Sequence, residues 1–444
     1  MNRIMIAAPK SGSGKTTITC GILAVLKSQG MNPCSFKCGP DYIDPMFHRT
    51  VLGIPSGNLD TFFTDDDTTI SLFVKEYSGN IAVIEGVMGL FDGVGGTEES
   101  GSSYDLARVL KTPIILVIDA KGAGRSILAE IKGFLDYDKH GLIKGVILNR
   151  TNPAFGDKLG KLIEDELKVQ YLGSVPSIKD VEFSSRHLGL ILPNEVDSIN
   201  EKLEIMAGII DENIKIADLK KIAEAAPKLD IIEDKKKEEK TEKSVRLAVA
   251  SDNAFCFYYR ENFELLQEAG VELVTFSPIN AKHLPEGISG ILLGGGYPEN
   301  YLRELSSNSS IKYDIRNAFE DGMPILAECG GFMYLLDSVT DNDNRQFDMV
   351  GAISGVARFV GKLVRFGYVT IQDDDTEIKG HEFHYYDTDN NGEACTAIKP
   401  TGSKSWKCIH KVGGSFIGFP HLYYPSNPKF ITNFVEAMKK YGKH

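Results

Sequence analysis

The chain has 444 residues, 42% of them hydrophobic and 25% charged, with a formal net charge of −12. That length exceeds one ordinary core and points to two or three domains of a soluble globular protein. The acidic balance excludes a nucleic-acid binder working through surplus Lys and Arg. The absence of any apolar run near the roughly 18 residues of a spanning helix excludes a membrane partner.

Met1-Asn2-Arg3 leads into an apolar run with no secretory-signal pattern, so a cytoplasmic location is expected. Ile4–Ala8 reads as a strand, followed by Pro9-Lys-Ser-Gly12-Ser-Gly14-Lys15-Thr16-Thr17 and a helix running through Leu26. A Gly-rich turn between strand and helix aims backbone N–H groups and a helix N-terminus at phosphate oxygens. On this reading Gly12, Gly14 and Thr17 shape the cradle, Lys15 reaches the β/γ oxygens of ATP, and the Thr16 hydroxyl sits on Mg²⁺. Pro9 stands where the phosphate-loop pattern has its first glycine. Lys10 stands where dimeric deviant phosphate-loop ATPases carry a second lysine, which leaves a homodimer open.

Further strands are expected at Cys34–Lys37, Ile81–Glu85, Ile114–Asp119, Gly145–Asn149 and Tyr171–Val175, alternating with helix-length segments. That alternation implies a parallel sheet with helices on both faces and ligands at the carboxyl ends of its strands. Polar clusters occupy those ends: Gly39–Asp44 after the second strand and Glu85–Asp92 after the third. Thr16, Asp41 and Glu85 are candidate hard-oxygen ligands for Mg²⁺, and Lys37 is a candidate neutraliser of charge on a transferring phosphoryl group. Asp44 and Asp92 are candidate positioning acids, and Tyr42 a candidate nucleotide or pocket contact.

Residues 225–244 are densely charged with mixed sign and no apolar periodicity, a solvated linker that divides the chain into domains at 1–224 and 245–444. A second α/β pattern then starts, with strands expected at Val245–Ala250, Val271–Phe276, Gly290–Leu293 and Ile325–Ala327. The last runs into Glu328-Cys329-Gly330-Gly331, a nucleophile on a sharp strand-to-helix turn whose neighbours must be small. Placement at a helix N-terminus is expected to lower the thiol pKa. The 7 cysteines are scattered and odd in number, as for reduced thiols, and Cys34 and Cys38 lack the second pair a zinc site requires. Upstream, Gly294-Gly295-Gly296 can bring a backbone N–H at Gly295 towards a reacting carbonyl, complementing the N–H of Gly330 as an oxyanion hole. His421 is the candidate general base. His381 and His384 lie on an expected strand, three residues apart and so on opposite faces, which argues against zinc. The aromatic run Phe255–Tyr259 is a candidate lining for a route between domains.

The Cys329, Gly294–Glu299 and His421 segments together resemble the class I glutamine amidotransferase domain, in which a Cys–His pair hydrolyses glutamine and releases ammonia. Tyr423 occupies the place where that class usually has the third acid, so the group orienting His421 is unassigned. Over essentially the whole chain, the ordered segments Ala8–Thr17, Lys37–Pro45, Glu85–Gly93, Ser185–Gly189, Ala254–Tyr259, Ala327–Gly331 and Gly380–Tyr385 resemble the cobyrinate a,c-diamide synthase family, which includes the hydrogenobyrinate and Ni-sirohydrochlorin enzymes. The resemblance implies a dethiobiotin-synthetase-like phosphate-loop domain followed by a class I amidotransferase-like α/β domain. It also implies amidation of the a- and c-acetates of a corrin-type polycarboxylate, with ATP, Mg²⁺ and L-glutamine. Asn149 resembles the position that reads the adenine edge in related ATPases, and Arg186 and His187 would face the polyanionic macrocycle. Cobyric acid synthase and CTP synthase share this chemistry, and a partitioning-type nucleotide-switch ATPase is the alternative from another class.

Overall fold

Short, fully buried runs of the first half pair into a single parallel sheet in the computed structural model, which describes residues 1–177, 199–230, 245–373 and 376–443. The strands are β1 (Arg3–Ala7), β2 (Pro33–Cys38), β3 (Ser56–Leu59), β4 (Ile81–Glu85), β5 (Ile114–Asp119), β6 (Ile143–Asn149) and β7 (Gln170–Val175). Their order is β3-β2-β4-β1-β5-β6-β7, and every pairing is parallel. Parallel sheets carry helices on both faces, so their strands read as continuous apolar runs; all five residues of β1 and of β4 are buried. β3 was not expected, because Ser-Gly-Asn-Leu has neither β-branching nor alternation. Register sets Ile6 against Glu85 and Lys37 against Glu85, so β1, β2 and β4 end side by side. Arg186 and His187, and most of the charged linker, lie outside the described residues.

The chain divides into two compact units, Met1–Asp234 and Lys235–His444. The second is built on β8 (Val245–Ala250), β9 (Val271–Phe276), β10 (Gly290–Leu293) and β11 (Ile325–Glu328), with Ser415–Gly418 parallel to β11 and His410–Val412 antiparallel on the edge. A five-stranded antiparallel sheet packs Val369, Ile371 and Ile378 into one core with Leu247, Val249 and Leu326. In that sheet Glu377–His384 pairs with Arg365–Gln372 on one side, and on the other sets His381 directly opposite His421. No described helix is long and apolar enough to cross a membrane.

Candidate functional site

In the first unit, β1 ends at Ala7 and the helix α1 (Lys15–Ser28) begins after Gly14. Gly14 has φ 92°, and a β-carbon there would fall 2.2 Å from Asn149 Nδ2, so both conformation and close approach demand glycine. Asn149 comes from the end of β6. Its Nδ2 donates to the Ser13 carbonyl at 2.8 Å, and its Oδ1 accepts the Arg150 N–H at 2.9 Å. The side chain expected at the adenine edge holds the loop in this structure. Arg150 assists it, donating to the Gly12 carbonyl at 2.9 Å and to Asp119 Oδ2 at 2.8 Å. Arg150 was passed over in the sequence, although it directly follows the asparagine.

Lys15 is folded back in this conformation, donating to the carbonyls of Met88 at 2.5 Å and Lys10 at 3.3 Å. Burial, then the charge of Lys37, lowers its pKa to about 8. Gly12 is exposed and Thr17 half-buried in the first turn of α1. Tyr42 is only 4% exposed, its ring enclosed within the unit.

Behind the loop lies a buried charge cluster. Lys37 Nζ contacts a carboxylate oxygen of Asp44, lies 2.8 Å from Glu85 Oε1, and is 3.8 Å from Asp41 Oδ2. Burial alone would lower the lysine pKa, but Asp44, Glu85 and Asp41 outweigh it and push the pKa up. Burial also raises Glu85 to about 7 and Asp41 to about 6, in both cases with Asp44 adding to the rise. Asp44 goes the other way: burial opposes, but Lys37 holds its pKa down. The Thr16 hydroxyl donates to Glu85 Oε1 at 2.5 Å, while the buried Glu85 Oε2 has no hydrogen-bond partner. Asn58 of the unexpected β3 fixes the Asp41 turn, donating to the carbonyls of Gly39 and Asp41 at 3.0 and 2.7 Å.

Three carboxylates around one lysine, with an orphaned buried oxygen beside a hydroxyl, leave the cluster short of positive charge. That donor set fits Mg²⁺, which takes oxygen ligands and completes its shell with water and substrate phosphates rather than with a protein cage. Among the described residues no group of three or more His, Cys, Asp or Glu forms such a cage.

In the second unit, Cys329 follows β11 at φ 48° and ψ −103°, a strained conformation for a side-chain-bearing residue, and leads into the short helix Gly330–Leu335. Its N–H donates to the Gly418 carbonyl at 2.9 Å. Small neighbours are required, since a β-carbon at Gly331 would come within 2.1 Å of the Leu293 carbonyl oxygen. One at Gly295 would strike His421 Cε1 at 2.3 Å, and one at Gly330 would lie 3.5 Å from the Gly296 nitrogen. The glycine triplet thus lies between the histidine and the turn after the cysteine. The Gly294 N–H is taken by the Tyr258 hydroxyl and the Tyr297 N–H by the Ala254 carbonyl.

The expected lowering of the thiol pKa does not appear. Burial, followed by the carboxyl groups of Glu299 and Glu382, pushes Cys329 well up. The Gly330 N–H at the start of the helix lowers it, but by less than burial and the two carboxyl groups raise it. Burial, followed by His381 and His384, moves His421 well below the usual imidazole range. The His381 ring stacks on His421 with centroids 4.9 Å apart, and its Nδ1 meets the Tyr259 hydroxyl at 3.2 Å. His384 is held by Glu382 Oε2 at 2.8 Å and stacks on Phe419. Phe255, Phe257 and Tyr259 are core residues, at most 5% exposed.

Tyr423, in the place of the usual third acid, is buried with its ring edge-on to Tyr259 at 5.1 Å. A carboxylate reaches His421 from elsewhere: Glu328 Oε2 lies 3.9 Å from His421 Nδ1, within ion-pair reach and beyond hydrogen-bond reach. At that separation burial, rather than the carboxylate, sets the basicity of the histidine. Burial raises Glu328 to about 8. Its proximity to His421 is not legible in the sequence, where it stands only as the residue before the cysteine.

Residues 4–191 match the CobQ/CobB/MinD/ParA nucleotide binding domain, and residues 246–416 the CobB/CobQ-like glutamine amidotransferase domain. Curated relatives named cobyrinate a,c-diamide synthase match the chain almost end to end. The one from Caldanaerobacter subterraneus subsp. tengcongensis is 37% identical, covering 99% of this chain and 99% of its own length. That from Listeria innocua serovar 6a is 37% identical over 99% of this chain and 100% of its own length. That from Fusobacterium nucleatum is 37% identical over 97% and 99%. A phosphate-loop unit and a strained-cysteine unit, matched end to end and in this order, place the chain in the cobyrinate a,c-diamide synthase family.

Proposed function

We propose that this protein converts the a- and c-acetate carboxylates of cobyrinate to amides, drawing nitrogen from glutamine and activation from ATP. The observation that carries the reading is the full-length likeness to enzymes of that name, with a lysine–carboxylate cluster behind one unit's phosphate loop and, in the other, a strained cysteine directly after a glutamate that lies 3.9 Å from a buried histidine.

The chemistry follows from leaving groups. Ammonia does not displace oxide from a carboxylate, so the acid must first attack the γ-phosphorus of ATP, expelling ADP, and become an acyl phosphate. Ammonia then adds to the acyl carbon and phosphate departs, leaving an amide. Lys15 moves from the Met88 carbonyl to the phosphates, and the loop N–H groups hold them. Mg²⁺ would be held by Thr16, Glu85 and Asp41, and when bound it offsets negative charge on the phosphates. Lys37, locked by three carboxylates, keeps those acids in place and sets the charge of the cluster.

In the other unit, Cys329 Sγ attacks the glutamine carboxamide carbon, its proton passing to His421. That proton then goes to the departing nitrogen as ammonia leaves. Water hydrolyses the thioester to glutamate and regenerates the thiol. N–H groups at Gly330 and in the Gly295 segment supply the oxyanion contacts.

Because burial raises the thiol and lowers the imidazole, cysteine and histidine are both neutral in the resting site near pH 7. The proton moves during attack instead of beforehand. Alkylation of Cys329 by iodoacetamide without glutamine should therefore be slow at pH 7 and climb continuously through pH 9. A fast plateau below neutrality would instead mean a preformed thiolate–imidazolium pair.

The function is tested by mass spectrometry of purified cobyrinate incubated with enzyme, ATP, Mg²⁺ and glutamine. Loss of one dalton for each of two acids, as OH becomes NH₂, is expected. Unchanged cobyrinate alongside amidation of another tetrapyrrole would overturn the substrate assignment.

A further inference from the structure

We propose that Glu328 is the positioning residue for His421, taking the part of the acid that this chain lacks two residues after its histidine. The inference rests on the glutaminase reading of Cys329 and His421. Glu328 Oε2 faces His421 Nδ1 at 3.9 Å, and both side chains are buried, at 6% and 3% exposure. The other carboxylate oxygen, Oε1, accepts a hydrogen bond from the Tyr424 hydroxyl at 3.1 Å, and the carboxyl also takes the Leu422 N–H.

The fold makes this meeting a consequence of register. Glu328 is the last residue of β11 and pairs with Gly418, three residues before His421. Tyr424 comes three residues after it. Asn262 pins the segment between them, its Nδ2 donating to the Leu422 carbonyl and its Oδ1 accepting the Tyr424 N–H, both at 2.8 Å. One short stretch of chain therefore carries the base, a tyrosine that grips the acid, and a backbone donor to it. The acid itself adjoins the nucleophile.

The chemistry asks for such a group. For His421 to accept the thiol proton at Nε2, its other nitrogen must carry a proton, and Nδ1 is the one facing Glu328. A carboxylate there favours that tautomer and balances the imidazolium formed as Cys329 attacks. The other titratable neighbours offer no such balance. His381 stacks on the His421 ring and, with His384, disfavours its positive charge; Tyr258 and Tyr424 surround Glu328; Glu299 and Glu382 act on the thiol. Catalytic contacts of this kind often shorten as substrate binds.

The test is steady-state glutamine hydrolysis from pH 6 to 10 by wild type, E328Q, E328D and Y424F, with thermal melting of each. Wild-type kcat should climb to a plateau above about pH 8, as the raised carboxyl of Glu328 ionises. E328Q should lower kcat roughly ten- to a hundredfold, change the glutamine KM less than about threefold, and lose that limb. E328D should recover part of the rate together with the limb. Y424F removes a donor to the carboxylate and should move the limb to higher pH, which keeps the test open if E328Q fails to fold.

Wild-type kcat and pH profile in E328Q would overturn the proposal. So would a loss that aspartate does not rescue, or a limb that Y424F leaves in place. A wild type that releases no ammonia from glutamine removes the glutaminase reading and this inference together. A wild type that does release it, beside an indifferent E328Q, removes this inference alone.

Discussion

Cys329→Ser should abolish amide formation from glutamine while leaving amide formation from ammonium salts within about twofold of wild type. A serine hydroxyl has nearly the volume of the thiol, so the strained turn after β11 and the N–H to the Gly418 carbonyl at 2.9 Å should persist. What goes is nucleophilicity. An alcohol is far less acidic and polarisable than a thiol, and His421, its basicity reduced by burial, cannot activate it as a base near neutrality would. The glutamine-driven rate should fall by about a thousandfold or more, the scale seen when a nucleophile is removed. The comparison is read by following product in parallel with glutamine and with excess ammonium. A serine variant equally inactive with ammonium would contradict the division into an ammonia-producing and an ammonia-consuming centre.

Lys15→Ala should be inactive with both nitrogen sources. Lys15 donates to the carbonyls of Met88 and Lys10, and its substitution leaves the turn itself held by Asn149 and Arg150. Folding should survive. The charge that meets the phosphates does not, and its removal is expected to lower kcat by about a hundred- to ten-thousandfold, as for preorganised charges at a transferring phosphoryl group. Glutamine hydrolysis measured without the acceptor should persist in this variant, since Cys329 and His421 belong to the other unit. Amide formation from ammonium at the wild-type rate in Lys15→Ala would remove the phosphate loop from the reaction.

What the sequence made legible was local. The strand, glycines, lysine and threonines of residues 4–17 are contiguous, so their joint geometry follows from spacing. The same holds for the strand ending in Cys329 and its two glycines. Less legible was anything set by pairing across the chain. β3 carries no strand signal in Ser56–Leu59, yet its Asn58 fixes the turn of Asp41. Asn149 was placed at the nucleotide end of β6, but its 2.8 Å bond to Ser13 depends on how β6 sits relative to the loop. The acid facing His421 was sought two residues downstream, whereas β11 delivers Glu328 from far upstream through its pairing with Ser415–Gly418. The thiol was expected to be acidified by its helix. Burial depth, which no spacing rule reports, reverses that direction.

The central claim is that an acetate oxygen of the acceptor attacks the γ-phosphorus of ATP before nitrogen arrives. Its most direct measurement uses cobyrinate labelled with oxygen-18 in its carboxylates, with the released inorganic phosphate analysed by mass spectrometry. Transfer of one labelled oxygen to phosphate for each amide formed is the result expected. Unlabelled phosphate accompanying full amidation would contradict the acyl phosphate, and with it the division of labour assigned to the two units.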